Sequence, residues 1–269
     1  MAKPIDLLPS IALYRKEHSA AETAQKFGVH ECTIRRWGIY SENYEKLQNC
    51  PNQLTDLQVE VLTGNLLGDG SLTHLKKGRQ SNFTLAQKST RLEYVEWLQQ
   101  TYGPFSYEVV SGKTRKPINI LNKINHQIEN WIGEYCYRCG FYTVAHPVFT
   151  FYRKKWYKEP DVKRSPKVIP DDLKLTWQAA AIWTCDDGSN HVEKKYNNKH
   201  IVLHTESFTK EDVEFILSCL QRDLNVVGTI NYHNSKPIIR IGRNEWSHFV
   251  EGVKPYIPWA CFKYKCVDS

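Results

Sequence analysis

Two aspartates, Asp69 and Asp187, stand at the ends of two apolar, helix-forming runs, and each is followed by a glycine. A helix C-terminus already carries partial negative charge from its unpaired carbonyls, so a carboxylate there is electrostatically disfavoured. One such site is readily a plain helix stop, because Asp-Gly is a common turn. Two are harder to dismiss. If the helices pack side by side, with Gly64 and Ala181 allowing close approach, both carboxylates reach the same end of the interface. Such a pair needs a hard cation, and Mg²⁺ with carboxylate and carbonyl oxygens is the natural choice, Mn²⁺ the expected substitute. A divalent ion beside a nucleic-acid backbone activates water and stabilises the leaving oxygen in phosphodiester hydrolysis.

The elements that must position these acids occur twice. A constant shift of 118 carries Asp69 to Asp187, Gly70 to Gly188, Leu85 to Leu203, Ser89 to Ser207, Glu93 to Glu211 and Val95 to Val213. A KPI triplet recurs at 116 and 236, which reads as a small insertion in the second copy. Thr55 suits an N-cap for the first helix, which is expected to stop at Gly70, and Thr209 with Asp212 fits a capping pattern further on. Phe83 and Leu85 alternate with polar neighbours, as do Ile201 and Leu203, which predicts half-buried strands with one polar face. STRLEYVEWLQQTYG and TKEDVEFILSCLQRDL carry apolar residues at helical spacing. Further strands are expected in FSYEVVSG, HPVFTFYR, VGTINYH and KPIIRIGR. The fold class is therefore α+β, with two pseudo-symmetric αββαββα units at 54–162 and 163–269.

Ahead of these, SAAETAQKFGVHECTIRRWGIY has the pattern of a helix-turn-helix. Gly28 sits at the tight turn, and Ala24, Phe27, Val29, Ile34 and Trp37 suit a miniature core. Thr33, Arg35 and Arg36 then project from a second helix suited to a DNA groove, although an ordinary helical pair would show the same pattern. The module is placed at 1–45 and a polar linker at 46–53.

Lys and Arg number 36 against 29 Asp and Glu, giving a net charge of +7 that suits a polyanionic partner. No apolar run is long enough for a signal peptide at the start or a membrane span elsewhere, so the chain reads as an intracellular, soluble protein. The eight cysteines then read as reduced thiols. Cys136-x-x-Cys139 has half of a zinc pattern but no second pair, which favours plain buried thiols.

LTGNLLGDG at 62–70 resembles the motif that names the LAGLIDADG homing endonucleases, and AAIWTCDDGS at 180–189 resembles the second-repeat form of the single-chain, intron-encoded type. HPVFTFYRKKWY, KVIPDDL, VLHTESFTKEDVEFI, KPIIRIG and KPYIPWACFKYK resemble further blocks in the same order, so the likeness covers about 54–265. It implies a saddle of two antiparallel sheets on double-stranded DNA, a long asymmetric site, and cleavage of both strands by one monomeric chain, leaving short 3′ overhangs. Asp69 and Asp187 would be the metal-binding acids, with the carbonyls of Gly68 and Asp186. Lys167 and Lys263 would flank the scissile phosphates, Lys263 in a stretch one residue shorter than usual and with Lys265 close by. On such a saddle the DNA contacts would come from Arg79, Gln80, Asn82, Thr84, Lys88 and Asn119 in the first repeat. The basic run Arg153, Lys154 and Lys155 would add phosphate contacts, and Lys194, Lys195, His204, Asn231, Arg240 and Arg243 would serve the second repeat. The alternative is a non-cutting binder, an RNA splicing maturase or a DNA-binding regulator.

Overall fold

The computed structural model describes residues 8–15, 17–35, 46–75, 80–115, 135–193 and 198–266. The chain forms two compact units, Met1–Pro51 and Asn52–Ser269.

In the first unit, α1 (Leu8–Arg15) precedes α2 (Ala20–Phe27), which opens on a capping box between Ser19 and Glu22 and closes on Gly28 at φ 63. That left-handed conformation is cheap only for glycine, and it turns the chain into a further helical stretch over 31–35. Ile11, Ala20, Ala24 and Ile34 form the core, with Phe27 and Val29 against it. Thr33 is half-buried and Arg35 exposed, while Arg36 and Trp37 lie outside the described residues.

The second unit runs α3 (Asp56–Leu67), β1 (Ser71–Leu72), β2 (Phe83–Lys88), α4 (Leu92–Tyr102), β3 (Val110–Arg115), β4 (Tyr135–Tyr142), α5 (Pro147–Trp156). It then repeats the pattern: α6 (Trp177–Asp187), β5 (Gly188–Glu193), β6 (Asn198–Leu203), α7 (Lys210–Leu224), β7 (Gly228–His233), β8 (Lys236–Ile241), α8 (Arg243–Val253). Each half is αββαββα, and each has a four-stranded antiparallel sheet, in the orders β1-β2-β4-β3 and β5-β6-β8-β7. None of the described helices is long and apolar enough to cross a membrane.

Both motif helices start where local chemistry dictates. Thr55 and Gln58 cap α3 reciprocally, Thr176 caps α6, and Thr209 with Asp212 does the same for α7. α3 ends at Leu67, earlier than Gly70, with Gly68 as its C-cap. The core of each half lies between its sheet and its helices. Phe83 and Leu85 of β2 point inward beside Tyr94, Val95, Leu98 and Tyr102 of α4, and the Phe83 and Tyr102 rings stack at 4.9 Å.

The structure corrects three sequence expectations. HPVFTFYR is no strand but the start of α5, because His146 accepts a hydrogen bond from the Val148 amide as N-cap and Pro147 sits in the first turn. The fourth strand of that sheet is instead YCYRCGFY at Tyr135–Tyr142, where Cys139 and Phe141 turn inward. The KPI triplets are not equivalent either. The triplet at 236 opens β8, whose counterpart is β4, whereas the triplet at 116 lies beyond β3 and outside the described residues. The longer connection therefore belongs to the first half, at 116–134, against 234–235 in the second.

α3 and α6 cross so closely that a Cβ built on Gly64 would stand 2.5 Å from the Ala179 carbonyl oxygen and 2.7 Å from Ile182 Cβ. Alanine gains about 1 kcal/mol over glycine as a helix former, but overpacking against a neighbouring backbone costs about 1–3 kcal/mol. Gly64→Ala is thus expected to lower the denaturant midpoint with an unchanged m value. An unaltered or raised midpoint would show that the helices have room to spare.

Candidate functional site

The close crossing carries both helix C-termini to one place. Asp69 follows the end of α3 and is exposed, and Asp187 is the last residue of α6 and half-buried. Burial pushes the Asp187 carboxyl up to about 6, and the charge of Asp69 adds to the rise while Lys167, His204 and Lys265 oppose it. The charge of Asp69 is therefore felt at Asp187.

Each helix end is answered by a lysine. Lys167 Nζ donates to the carbonyls of Leu66 (2.7 Å) and Gly68 (2.9 Å) at the end of α3. Lys265 Nζ donates to those of Thr184 (2.8 Å) and Cys185 (2.7 Å) in the last turn of α6. Burial pulls both ammonium groups down to about 8, against the attraction of nearby acids. Lys265, not Lys263, is the counterpart of Lys167, which corrects the sequence alignment. Ala260–Cys266 is a 3₁₀ helix, so side chains three apart share a face: Phe262 and Lys265 point inward, and Lys263 points to solvent.

Two further side chains join the site. Gln87 Nε2 donates to Asp69 Oδ2 (2.7 Å) and to Asp186 Oδ1 (3.2 Å), and its Oε1 accepts from Arg91 (2.6 Å). The sequence carried a signal for Gln87: it continues the inward series of Phe83 and Leu85, so it is a polar group sent to an apolar face. The carbonyl of Asp186 was expected to matter, but its side chain is the larger surprise. It is buried in the α3–α6 interface, hydrogen-bonded by Asn65 (2.9 Å) and Tyr94 (2.8 Å). Burial raises its carboxyl to about 7, the Asn65 and Tyr94 bonds resisting and the charges of Asp69 and Asp187 adding to the rise.

The donor set suits a hard divalent cation. Among the described residues there is no cage of three or more His, Cys, Asp or Glu side chains, so the oxygens on offer are two mutually repelling carboxylates, the backbone carbonyl of Asp186, and that of Gly68, which Lys167 also holds.

On the second sheet, His191, His200, His204, Asn231, His233 and Arg240 line one concavity, which brings together three of the expected DNA-contacting residues. Arg240 Nε and His200 Nδ1 are buried there with no hydrogen-bond partner among the described residues. His204 and His233 both contact Glu206. On the first sheet, Thr84 and Lys88 share the outward side of β2. Gln80 and Asn82 are engaged internally, by Thr150 and by Thr73 respectively.

The basic run divides. Arg153 is buried, donating to the carbonyls of Pro160, Leu72 and Val162 and lying over the Tyr157 ring, so it is a structural clamp and no phosphate contact. Lys155 pairs with Asp172, while Lys154 and Arg243 are exposed. Arg79, Asn119, Lys194 and Lys195 lie outside the described residues.

A model of the LAGLIDADG DNA endonuclease family matches residues 59–249. The chain belongs to that family. Among its relatives is a probable intron-encoded endonuclease 1 of Wickerhamomyces canadensis, 29% identical over 208 residues that span 76% of this chain and 81% of the relative. The cytochrome b mRNA maturase bI2 of Saccharomyces cerevisiae is 25% identical over 80% of this chain and 49% of its own length. Among solved structures, the homing endonuclease I-WcaI bound to its DNA recognition sequence superposes with a TM-score of 0.69 at 26% identity, covering 84% of this chain and 92% of the other. This LAGLIDADG protein thus has the family's α+β architecture with two four-stranded sheets.

The raised Asp187 carboxyl has a consequence for stability. Its ionised form is the one the fold disfavours, so the penalty is complete above about 6 and gone below the ordinary value of 3.8. In EDTA at about pH 8, Asp187→Asn is expected to raise the melting temperature by about 2–5 °C. The gain should shrink as pH falls through that window and should be suppressed by Mg²⁺. Equal gains at about pH 8 and pH 4 would show that charge at this position is not the cause.

Proposed function

We propose that this protein is a site-specific, metal-dependent endonuclease that cuts both strands of double-stranded DNA. The observation that carries the reading is the pair of carboxylates at two touching helix ends, each end with its own lysine on its last carbonyls. Asp69 and Asp187 would hold Mg²⁺, or Mn²⁺ in its place, with the carbonyls of Gly68 and Asp186. The ion there would supply water activation and stabilise the leaving 3′ oxygen.

The chain's own residues do the rest. Lys167 and Lys265, still largely protonated at neutral pH, place an ammonium beside each scissile phosphate, where it stabilises developing negative charge. The polar faces of the two sheets seat the duplex, Thr84 and Lys88 on one half, His204, Asn231 and Arg240 on the other. Because the halves present different side chains, the site is long and asymmetric. One chain supplies both centres, so it acts as a monomer, and cutting across the minor groove leaves short 3′ overhangs. I-WcaI, seen on its recognition DNA, supports the partner.

The maturase relative favours a second reading, RNA splicing without cutting. Two crowded acids argue against it, since binding a polyanion is easier without them.

The first unit, Met1–Pro51, serves in this reading as a tether, with Thr33, Arg35 and Arg36 toward DNA. The Arg35–Glu31 pair is exposed and therefore cheap to exchange for a phosphate.

Selection of cut sites from a random duplex library in Mg²⁺ tests the activity. Asp69→Asn and Asp187→Asn should each abolish double-strand cleavage while Ca²⁺-supported binding persists; full cutting by either sinks the two-acid reading. Lys265→Ala should slow cleavage about 100-fold or more, and Lys263→Ala less than about threefold. The reverse order would return the role to Lys263. A chain starting at Asn52 should still cut its core site but protect a shorter footprint and show a shallower salt dependence. Identical footprints and slopes would remove the first unit from the DNA.

A further inference from the structure

Among the described residues, Asp186 is the only acidic residue that is buried, and the proposed chemistry makes no use of its carboxylate. It takes part in a closed set of bonds. Its Oδ2 accepts from Asn65 Nδ2 at 2.9 Å, and its Oδ1 accepts from Tyr94 OH at 2.8 Å and from Gln87 Nε2 at 3.2 Å. The same Gln87 nitrogen donates to Asp69 Oδ2 at 2.7 Å, and Arg91 Nη1 donates to Gln87 Oε1 at 2.6 Å. A primary amide has two N–H groups and one oxygen. Here each hydrogen faces a carboxylate and the oxygen faces a guanidinium, so every polar atom of Gln87 is used. Turning the amide over would set its oxygen against two acceptors and its hydrogens against a cation. Asp186 thereby joins Asp69 and Arg91 in removing one of the two orientations open to Gln87.

Among the described residues none of this is repeated in the other half. Asp186 stands at the position that Gly68 holds in the first motif, and the two are complementary: a Cβ built on Gly68 would lie 2.4 Å from Asp186 Cβ. The counterpart of Gln87 at the shift of 118 is Thr205, whose hydroxyl donates to the Pro237 carbonyl. Asp69 is held by a locked amide, and Asp187 has a threonine at the equivalent place.

We infer that Asp186 is a positioning residue: acting through Gln87, it fixes the carboxylate of Asp69 and not that of Asp187, so the two DNA strands are cut by unequally organised centres. This rests on Asp69 and Asp187 being the cutting acids. The asymmetry is written into one side chain that the first motif replaces with glycine.

At about pH 8, where the Asp186 carboxyl is mostly ionised, Asp186→Asn keeps the shape and offers an N–H where the carboxylate offers only acceptors, which loosens the hold on the Gln87 amide and leaves it to Asp69 and Arg91 alone. With a strand-labelled duplex carrying one site, this variant should slow one strand by about tenfold, the cost of one misplaced hydrogen bond, and the other by less than about threefold. Gln87→Leu should bias the same strand, and Asp186→Asn added to Gln87→Leu should shift the bias no further, because the two act in series. A readout without metal or DNA accompanies these: the Gln87 side-chain amide protons should be protected from exchange in the wild-type protein in EDTA and lose that protection in Asp186→Asn. A merely structural acid would lower the melting temperature and slow both strands alike. An unchanged strand ratio in folded Asp186→Asn, additive effects in the double variant, or unaltered amide exchange would each overturn the inference and leave the nuclease reading standing. A wild-type protein that nicks neither strand of any duplex would overturn both.

Discussion

Two helix ends that each carry a carboxylate are pressed together in this protein, and most of the second unit can be understood as what makes that tolerable. The glycine at 64 lets α3 and α6 meet at backbone contact, which is what brings Asp69 and Asp187 within range of each other. Each helix adds roughly half a negative charge at its C-terminus to the charge of its acid. The structural answer is local: Lys167 and Lys265 put their ammonium groups directly on the last carbonyls of α3 and α6. These cations sit on the helix ends and compensate the carboxylates only in part: burial and the charge of Asp69 still hold the Asp187 carboxyl up against the attraction of both lysines. The residual negative charge is what a divalent cation would meet.

The symmetry of the halves is a symmetry of backbone, and side chains depart from it where the site is most sensitive. Both halves are αββαββα, both motif helices are capped by threonine, and both end under a lysine. Against that, one sheet offers threonine and lysine on β2 and the other a row of histidines with Arg240. The connection between the third and fourth strands is long in the first half and a tight turn at 234–235 in the second, where Asn234 and Ser235 adopt positive φ. A partner that fits both faces equally would have to be indifferent to these differences, which a sequence-specific duplex is not.

Periodicity made much of this legible in the sequence. The motif helices, β2, β6, α4 and α7 lie where apolar spacing put them, and the caps at Thr55 and Thr209 were readable from residue type. What failed did so for identifiable reasons. HPVFTFYR is rich in aromatic and β-branched residues and imitates a strand, while the decisive features, an N-cap at His146 and a proline at 147, are two residues easily passed over. In YCYRCGFY the spacing of Cys136 and Cys139 imitates half a metal site and masks the strand alternation that turns Cys139 and Phe141 inward. The KPI triplets matched by letters and not by place in the sheet. Arg153 was grouped with its charged neighbours although helical spacing puts it with Phe149 and Trp156 on the buried side. Lys263 and Lys265 are separable only once the segment is known to have a period of three.

The placement of Lys265 also shows why neither half makes a site alone. Its 3₁₀ segment is anchored by Trp259 and Phe262, and the rings they pack on belong to the other half: Tyr94 at 4.8 and 5.1 Å and Trp97 at 4.9 Å, all from α4. Tyr94 in turn donates its hydroxyl to Asp186 of α6. The end of the second repeat is therefore fastened to a helix of the first, and that helix is fastened to the motif of the second. Burying these rings stabilises the fold by about 1.5–3 kcal/mol each, several times what one surface contact contributes. Apolar packing between the halves thus sets the position of a cation that electrostatics alone would leave in water. The charged centre is ordered by the aromatic contacts beneath it.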